Sequence, residues 1–259
     1  MSRPRSALLA SLAVVCLLLA PSAARAAAEV HRFAIALSAS PTSINAGDFN
    51  DAIDYYNRTV VTPPPRGYDP LDKVSFSWIF NSELRYFVTR NMAVSAGVGQ
   101  LRAKSTKEYL PALAQAINVR AEMITAPVHI GADYYLAPYN QGDFQARVFL
   151  GGGLVHYTHS RASFQQLLAG TDSATTAQLG GSFKFTSTQD GPGYFAQGGV
   201  HMFFASRYSV ILAALYRSGE LQNLVDERTG QVVIDPKTLK PASLDVGGIG
   251  FRMAAVVGL

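Results

Sequence analysis

Three sets of residues in this 259-residue chain have types and spacing that could do chemistry. One is Val155-His156-Tyr157-Thr158-His159-Ser160, where histidine bases lie close to hydroxyl nucleophiles. General-base activation needs the base within hydrogen-bond reach of the nucleophile, and on a β-strand only residues two apart share a face. Here the residue two after His156 is Thr158, while His159 and Ser160 are adjacent and point opposite ways. The segment therefore carries no catalytic assignment, and its histidines read as surface residues at a strand rim. The second set, Asp48, Asp51 and Asp54, recurs every three residues and so shares one side of a helix. It lacks the interleaved glycine and carbonyl-donating turns of a Ca²⁺ loop, so the reading is a solvated helix face, with no metal and no cofactor expected. The third set is Glu83, Arg85, His129, Asp133, Arg147, His201 and Arg252. Each falls on the polar or small-residue side of a segment that alternates with period two. If those sides share an interior the charges must pair there, because an unpartnered buried charge costs several kcal/mol.

The segments that would position these groups are eight: near 30–39, 76–88, 92–104, 117–136, 144–157, 193–204, 208–217 and 251–259. In the first, Phe33, Ile35 and Leu37 oppose Arg32, Ala34, Ala36 and Ser38. In the seventh, Tyr208, Val210, Leu212, Ala214 and Tyr216 oppose Ser209, Ile211, Ala213 and Arg217. In the last, Phe251, Met253, Ala255, Val257 and Leu259 present a wholly apolar face with no later segment to cover it. Pro127, which cannot donate to a ladder, is expected at a bulge or break in the fourth. Phe49, Ala52, Ile53 and Tyr56 give a short amphipathic helix opposite the aspartates, and Pro63-Pro64-Pro65 forces an extended return. Two more short helices are expected at Pro111–Ala116 and Ala162–Leu168, and a hairpin tip at Asp226–Gln231.

The N-terminus reads as a secretory signal: Arg3 and Arg5, an apolar run from Ala7 to Ala20, then Ala24-Arg25-Ala26 as a cleavage site. Residues 1–26 are thus expected to be removed, leaving 27–259 as a single domain. The formal charge of +4 includes Arg3, Arg5 and Arg25, so the mature chain is near +1 and its basicity does not point to a nucleic-acid partner. Cys16, the one cysteine, lies in the leader, which excludes disulfides and thiol chemistry from the mature protein. No later apolar stretch approaches the length of a spanning helix. Lipid tolerates only helices and closed barrels, so lipid against the terminal strand's apolar face implies an all-β, eight-stranded antiparallel up-and-down transmembrane barrel. The alternative is a soluble exported β-protein. The connections favour the barrel: 89–91, 137–143 and 205–207 are short, whereas 40–75, 105–116, 158–192 and 218–243 are long. Short turns on one rim and long loops on the other are the pattern of such barrels.

The segments Ser82-Glu83-Leu84-Arg85-Tyr86-Phe87-Val88-Thr89-Arg90-Asn91-Met92 and Leu244-Asp245-Val246-Gly247-Gly248-Ile249-Gly250-Phe251-Arg252-Met253 resemble those of the small eight-stranded outer-membrane barrels of Gram-negative bacteria, the group of the OmpA transmembrane domain, OmpX and OmpW. The resemblance implies residence in the outer membrane among lipid and lipopolysaccharide, delivery by the barrel-assembly machinery through the C-terminal strand, and a monomer without cofactors. It departs at Leu259, where the family ends in an aromatic residue. Three roles compete for such a barrel. The first is structural or surface-interaction work through the long extracellular loops, the lumen being plugged by the seven ionisable residues. The second is a narrow pore or transporter for small, hydrophobic molecules, in which Glu83 and Asp133 exchange partners among Arg85, Arg147 and Arg252. The third is a lipid A hydrolase, from whose His-x-Ser spacing this chain departs, so the protein is not expected to be an enzyme.

Overall fold

Alternation with period two gives every strand a lipid side and an inner side, and the wall is built from it. The computed structural model describes residues 31–62, 68–109, 116–141, 144–169, 182–204, 207–235 and 237–259. The expected leader lies outside these residues, as does the helix expected at 111–116 except Ala116, which is in a strand. The wall consists of β1 (Phe33–Ser43), β2 (Phe76–Thr89), β3 (Met92–Tyr109), β4 (Ala116–Tyr135), β5 (Phe144–Ala169), β6 (Gly191–Phe203), β7 (Tyr208–Leu221) and β8 (Gly248–Gly258). Each strand pairs antiparallel with the next. β8 returns to β1, with Ala34 opposite Gly258 and Thr42 opposite Gly250. Closure leaves no wall edge whose backbone groups would face lipid unpaired. Among the described residues no helix is long and apolar enough to cross a membrane, so crossing falls to the strands.

The outward side carries exposed Ile35, Leu37, Leu84, Val94, Val98, Ile130, Leu150, Leu154 and Met253. Two aromatic bands bound this belt. Near the short-turn end Phe33 lies 4.7 Å from Tyr86 and Phe144 5.5 Å from Phe204. Near the long-loop end Phe76, Trp78 and Phe80 follow one another along β2, and Tyr194 lies 6.1 Å from Tyr216. Aromatic rings at both levels, with Tyr86, Trp78, Tyr194 and Tyr216 as the amphipathic ones, match two membrane–water interfaces.

Beyond the second band the polarity of the wall inverts. On β3 the outward side passes from Met92, Val94 and Val98 to Gln100, Arg102, Lys104 and Glu108, while the inward side becomes Leu101, Ala103 and Tyr109. β4 does the same, with Ile117, Val119, Ala121 and Met123 inside and Arg120 outside. The strands have left the lipid, so water now lies outside and a hydrophobic core inside. β3 and β5 consequently run well past 104 and 157, the ends that the sequence pattern predicts. Ala162–Leu168 is strand and not helix: a bulge opposite Thr125, with His159 at φ 53°, shifts the parity of β5 so that Ala162, Phe164 and Gln166 point inward. This irregularity sits two residues before Pro127, which itself stays in register opposite Tyr157. Phe183–Thr188 adds to the outer edge of β5, and Val225–Asp226 adds to that segment in turn. Residues 225–232 form the expected hairpin tip, closed by Asp226 N–H donating to the Gln231 carbonyl at 2.9 Å.

Helix α1 (Asp48–Tyr56) covers the outer mouth. Its Phe49, Ile53 and Tyr56 bury into a core with Ile79, Leu101, Val119, Met123, Phe164 and Leu244. Two asparagines spaced by two helical turns fasten the returning chain. The Asn50 amide bonds both backbone groups of Val74 at 2.9 and 3.0 Å, and the Asn57 amide bonds those of Leu71 at 2.8 and 2.9 Å. The Tyr56 hydroxyl donates to Gln166 Oε1 on β5.

Candidate functional site

Inside the membrane-spanning part, five side chains from four strands close a ring. Glu83 Oε2 accepts from Arg252 Nη2 at 3.0 Å, Arg252 Nη1 donates to Gln197 Oε1 at 3.0 Å, and Gln197 Nε2 donates to Asp133 Oδ1 at 2.8 Å. Asp133 pairs with Arg85 Nη2, and Arg85 Nε returns to Glu83 Oε1 at 3.1 Å. His129 Nε2 attaches from the side, 3.1 Å from Glu83 Oε2. All five ring members are buried. The wall makes room for them with glycine: a Cβ on Gly97 would lie 2.7 Å from His129 Cε1, and one on Gly151 would collide with Asp133 Oδ1.

Of the seven ionisable residues read as one network, Glu83, Arg85, His129, Asp133 and Arg252 meet, and Arg147 and His201 do not. The latter two lie toward the short-turn end in an aromatic layer. His201 bonds the Tyr135 hydroxyl at 3.1 Å and the Ser209 hydroxyl at 2.7 Å and stacks 4.0 Å from Phe203. Arg147 donates to Gln145 Oε1 at 2.7 Å and to the Arg90 carbonyl at 2.6 Å, with its guanidinium over Phe203. Arg147 thus has no carboxylate partner among the described residues and is not one that Glu83 or Asp133 holds. Two further inward residues, not among the seven candidates by sequence, belong to the lumen. Gln197 bridges the ring, and Arg217 lies outward of it on β7, donating among the described residues to Thr42 Oγ1 at 3.2 Å. Both stand on inward positions of alternating segments, and that was the signal available for them.

The outer surface of the extended sheet forms a second candidate. Arg102, Arg120, Glu122, Arg161 and Lys184 line up across β3, β4, β5 and the segment 183–188. Glu122 takes Arg102 Nε at 2.5 Å and Arg120 Nη2 at 2.6 Å, and Arg161 meets Glu227 at 3.0 Å. Burial opposes ionisation of Glu122, but the hydrogen bonds from Arg120 and Arg102 hold its carboxyl below the usual carboxylate range. A shallow depression of about 170 Å³ lies here, bordered by Arg120, Glu122, Arg161, Ser163, Gln165 and Lys184.

The sequence model of the outer membrane protein beta-barrel domain matches residues 12–232. The chain belongs to this family. As an outer membrane protein β-barrel it resides in the bacterial outer membrane. No curated protein matches it. Among solved structures it is similar to Ail, the attachment invasion locus protein of Yersinia pestis, at 13% identity over 88% of this chain and 98% of that one, TM-score 0.32. Ail in complex with the heparin analogue sucrose octasulfate matches at 13% identity over 87% and 95%, TM-score 0.33. The outer membrane protein AlkL, determined in lipid bilayers, matches at 14% identity over 92% and 94%, TM-score 0.38.

The remaining candidates of this outer membrane barrel separate. His156 and His159 are exposed, whereas Ser160 is buried and its hydroxyl lies 2.7 Å from that of Thr125. The histidines and the serine are therefore not brought together. The three aspartates of α1 go to three partners: Asp48 accepts from Ser243 N–H at 2.8 Å, Asp51 meets Lys237 at 3.1 Å and Asp54 meets Lys73 at 2.7 Å. They fasten the helix to its neighbours.

Proposed function

We propose that this protein is a closed, non-conducting outer-membrane barrel that works through its extracellular surface. The observation that carries this reading is the double closure of the lumen: a charge-paired ring within the membrane and an apolar cap under α1 above it. Opening a path would break several buried ion pairs and expose a hydrophobic core together, and each is costly. The surface left free is the extended sheet, whose cationic depression lies just above the lipid belt. Val98 and Arg102 are on the same side of β3, about 13 Å apart along the strand. At that level the phosphate groups of lipopolysaccharide meet the barrel, and guanidinium forks are the side chains suited to them. The protein acts as a monomer, delivered by the barrel-assembly machinery through β8.

In planar bilayers the wild type is expected to give no steady conductance, and Glu83→Ala to leave that baseline unchanged. Reproducible channels in the wild type would overturn the closed reading. For the surface, Arg161→Glu with Lys184→Glu is expected to weaken lipopolysaccharide binding at least tenfold at low salt, with little loss at high salt, where the wild type also weakens. Undiminished binding would remove the depression as the site.

A further inference from the structure

The middle of the lumen buries one more positive charge than negative. Arg85, Arg217 and Arg252 are buried there with Glu83 and Asp133 as the carboxylates. Glu83 and Asp133 face Arg85, Arg252 and His129, and neither is paired with Arg217; Glu83 Oε1 meets Arg85 as an ion pair without a hydrogen bond. Arg217 is 6% exposed, and its Nε and Nη1 make no hydrogen bond among the described residues; nor do Arg252 Nε and, outside the cavity lining, Arg85 Nε and Nη1. Arginine cannot relieve this by losing its proton, because its pKa is too high.

Both guanidiniums line one cavity of about 40 Å³, which Asn81, Glu83, His129 and Gln197 also border. A single water needs about 10–15 Å³ of such space, so the cavity admits a monatomic ion with a little water and is tight for phosphate or sulfate. Glu83 lies on the wall, yet its charge is already met by Arg85 and Arg252. What the cavity lacks is one small negative charge beside Arg217. We propose that it is a halide site, binding one chloride ion through Arg217 Nε and Nη1 and Arg252 Nε, with Asn81 as an amide donor. The ion completes the charge balance of the plug and makes chloride a structural ligand of the barrel.

The test uses the full mature protein in detergent. Crystals grown in bromide are expected to show an anomalous peak in the cavity within hydrogen-bonding distance of Arg217. The unfolding midpoint, read from the heat-dependent gel band, is expected to rise by about 5–10 °C for a hundredfold rise in chloride above its dissociation constant at constant ionic strength in gluconate. Arg217→Met is expected to abolish that rise and Arg217→Lys to keep part of it. An empty cavity in bromide overturns the proposal, as does a chloride effect undiminished in Arg217→Met. The bromide experiment needs only the wild type, so it decides even if neither variant folds.

Discussion

Glu83 accepts from Arg252 and His129 and lies against Arg85, so removing its carboxylate strips three donors of their partner at once. Glu83→Ala is expected to destabilise the barrel by about 3–5 kcal/mol, seen as a lower temperature for loss of the compact gel form; an unchanged temperature would show that the ring does not hold the lumen. Tyr109 reports on the outer core. Burial, with the charges of Asp69 and Asp72 added, pushes its phenol up to about 12. The raised value means that the folded state holds the proton more tightly. This stabilisation is therefore complete below about pH 10, the unfolded value, and is lost as pH rises toward 12. Ultraviolet titration of the wild type against Tyr109→Phe should show a late phenolate step that the variant lacks. Alternation gives the side of the wall that Glu83, Arg85, Arg147, His201 and Arg252 face, but not that of Tyr109, which lies beyond the strand end it predicts. Nor does alternation give height along the barrel axis, which depends on strand tilt and stagger. Arg147 and His201 therefore share a side with the ring but lie below it, and alternation does not separate Gln197 and Arg217 from the other inward polar residues.

The elements are held by different devices on the two sides of the outer aromatic band. Within lipid, the wall is held by backbone closure together with the charge-paired ring in the lumen. Above it, α1 is kept in place by side-chain amides that imitate strand pairing: Asn50 to Val74 and Asn57 to Leu71. Asn57→Ala leaves both backbone groups of Leu71 buried and unpaired, an expected cost of about 1–3 kcal/mol. Hydrogen exchange should then accelerate at residues 44–75 with β6 and β7 unaffected. The helix was legible because its apolar residues recur at helical spacing. The outer halves of β3 and β5 were not, because the apolar side changes where the lipid ends, and an inverted alternation looks like no alternation. At β5 the bulge at His159 shifts the parity again.

The whole molecule is a lipid-belted wall carrying a water-facing sheet and a capped mouth, and its class could be read from rim asymmetry alone: short turns on one side and long connections on the other. The cap could not, since it arises from contacts such as Asp48 with Ser243, far apart in sequence. The unboiled protein is expected to run as a compact band and to partition with the outer membrane; recovery in detergent-free buffer would contradict the barrel. The bond from Arg252 to Glu83 joins the last strand to the second. A nascent barrel whose last strand is still undocked lacks that arginine, so Glu83 and Gln197 each miss a donor until the seam shuts. The final strand therefore acts as a latch closed from within, and the seam between β1 and β8 is locked by side chains as well as by its ladder. Lateral unzipping there, whether in assembly or under an inserted ligand, must first draw a buried guanidinium out of its two partners.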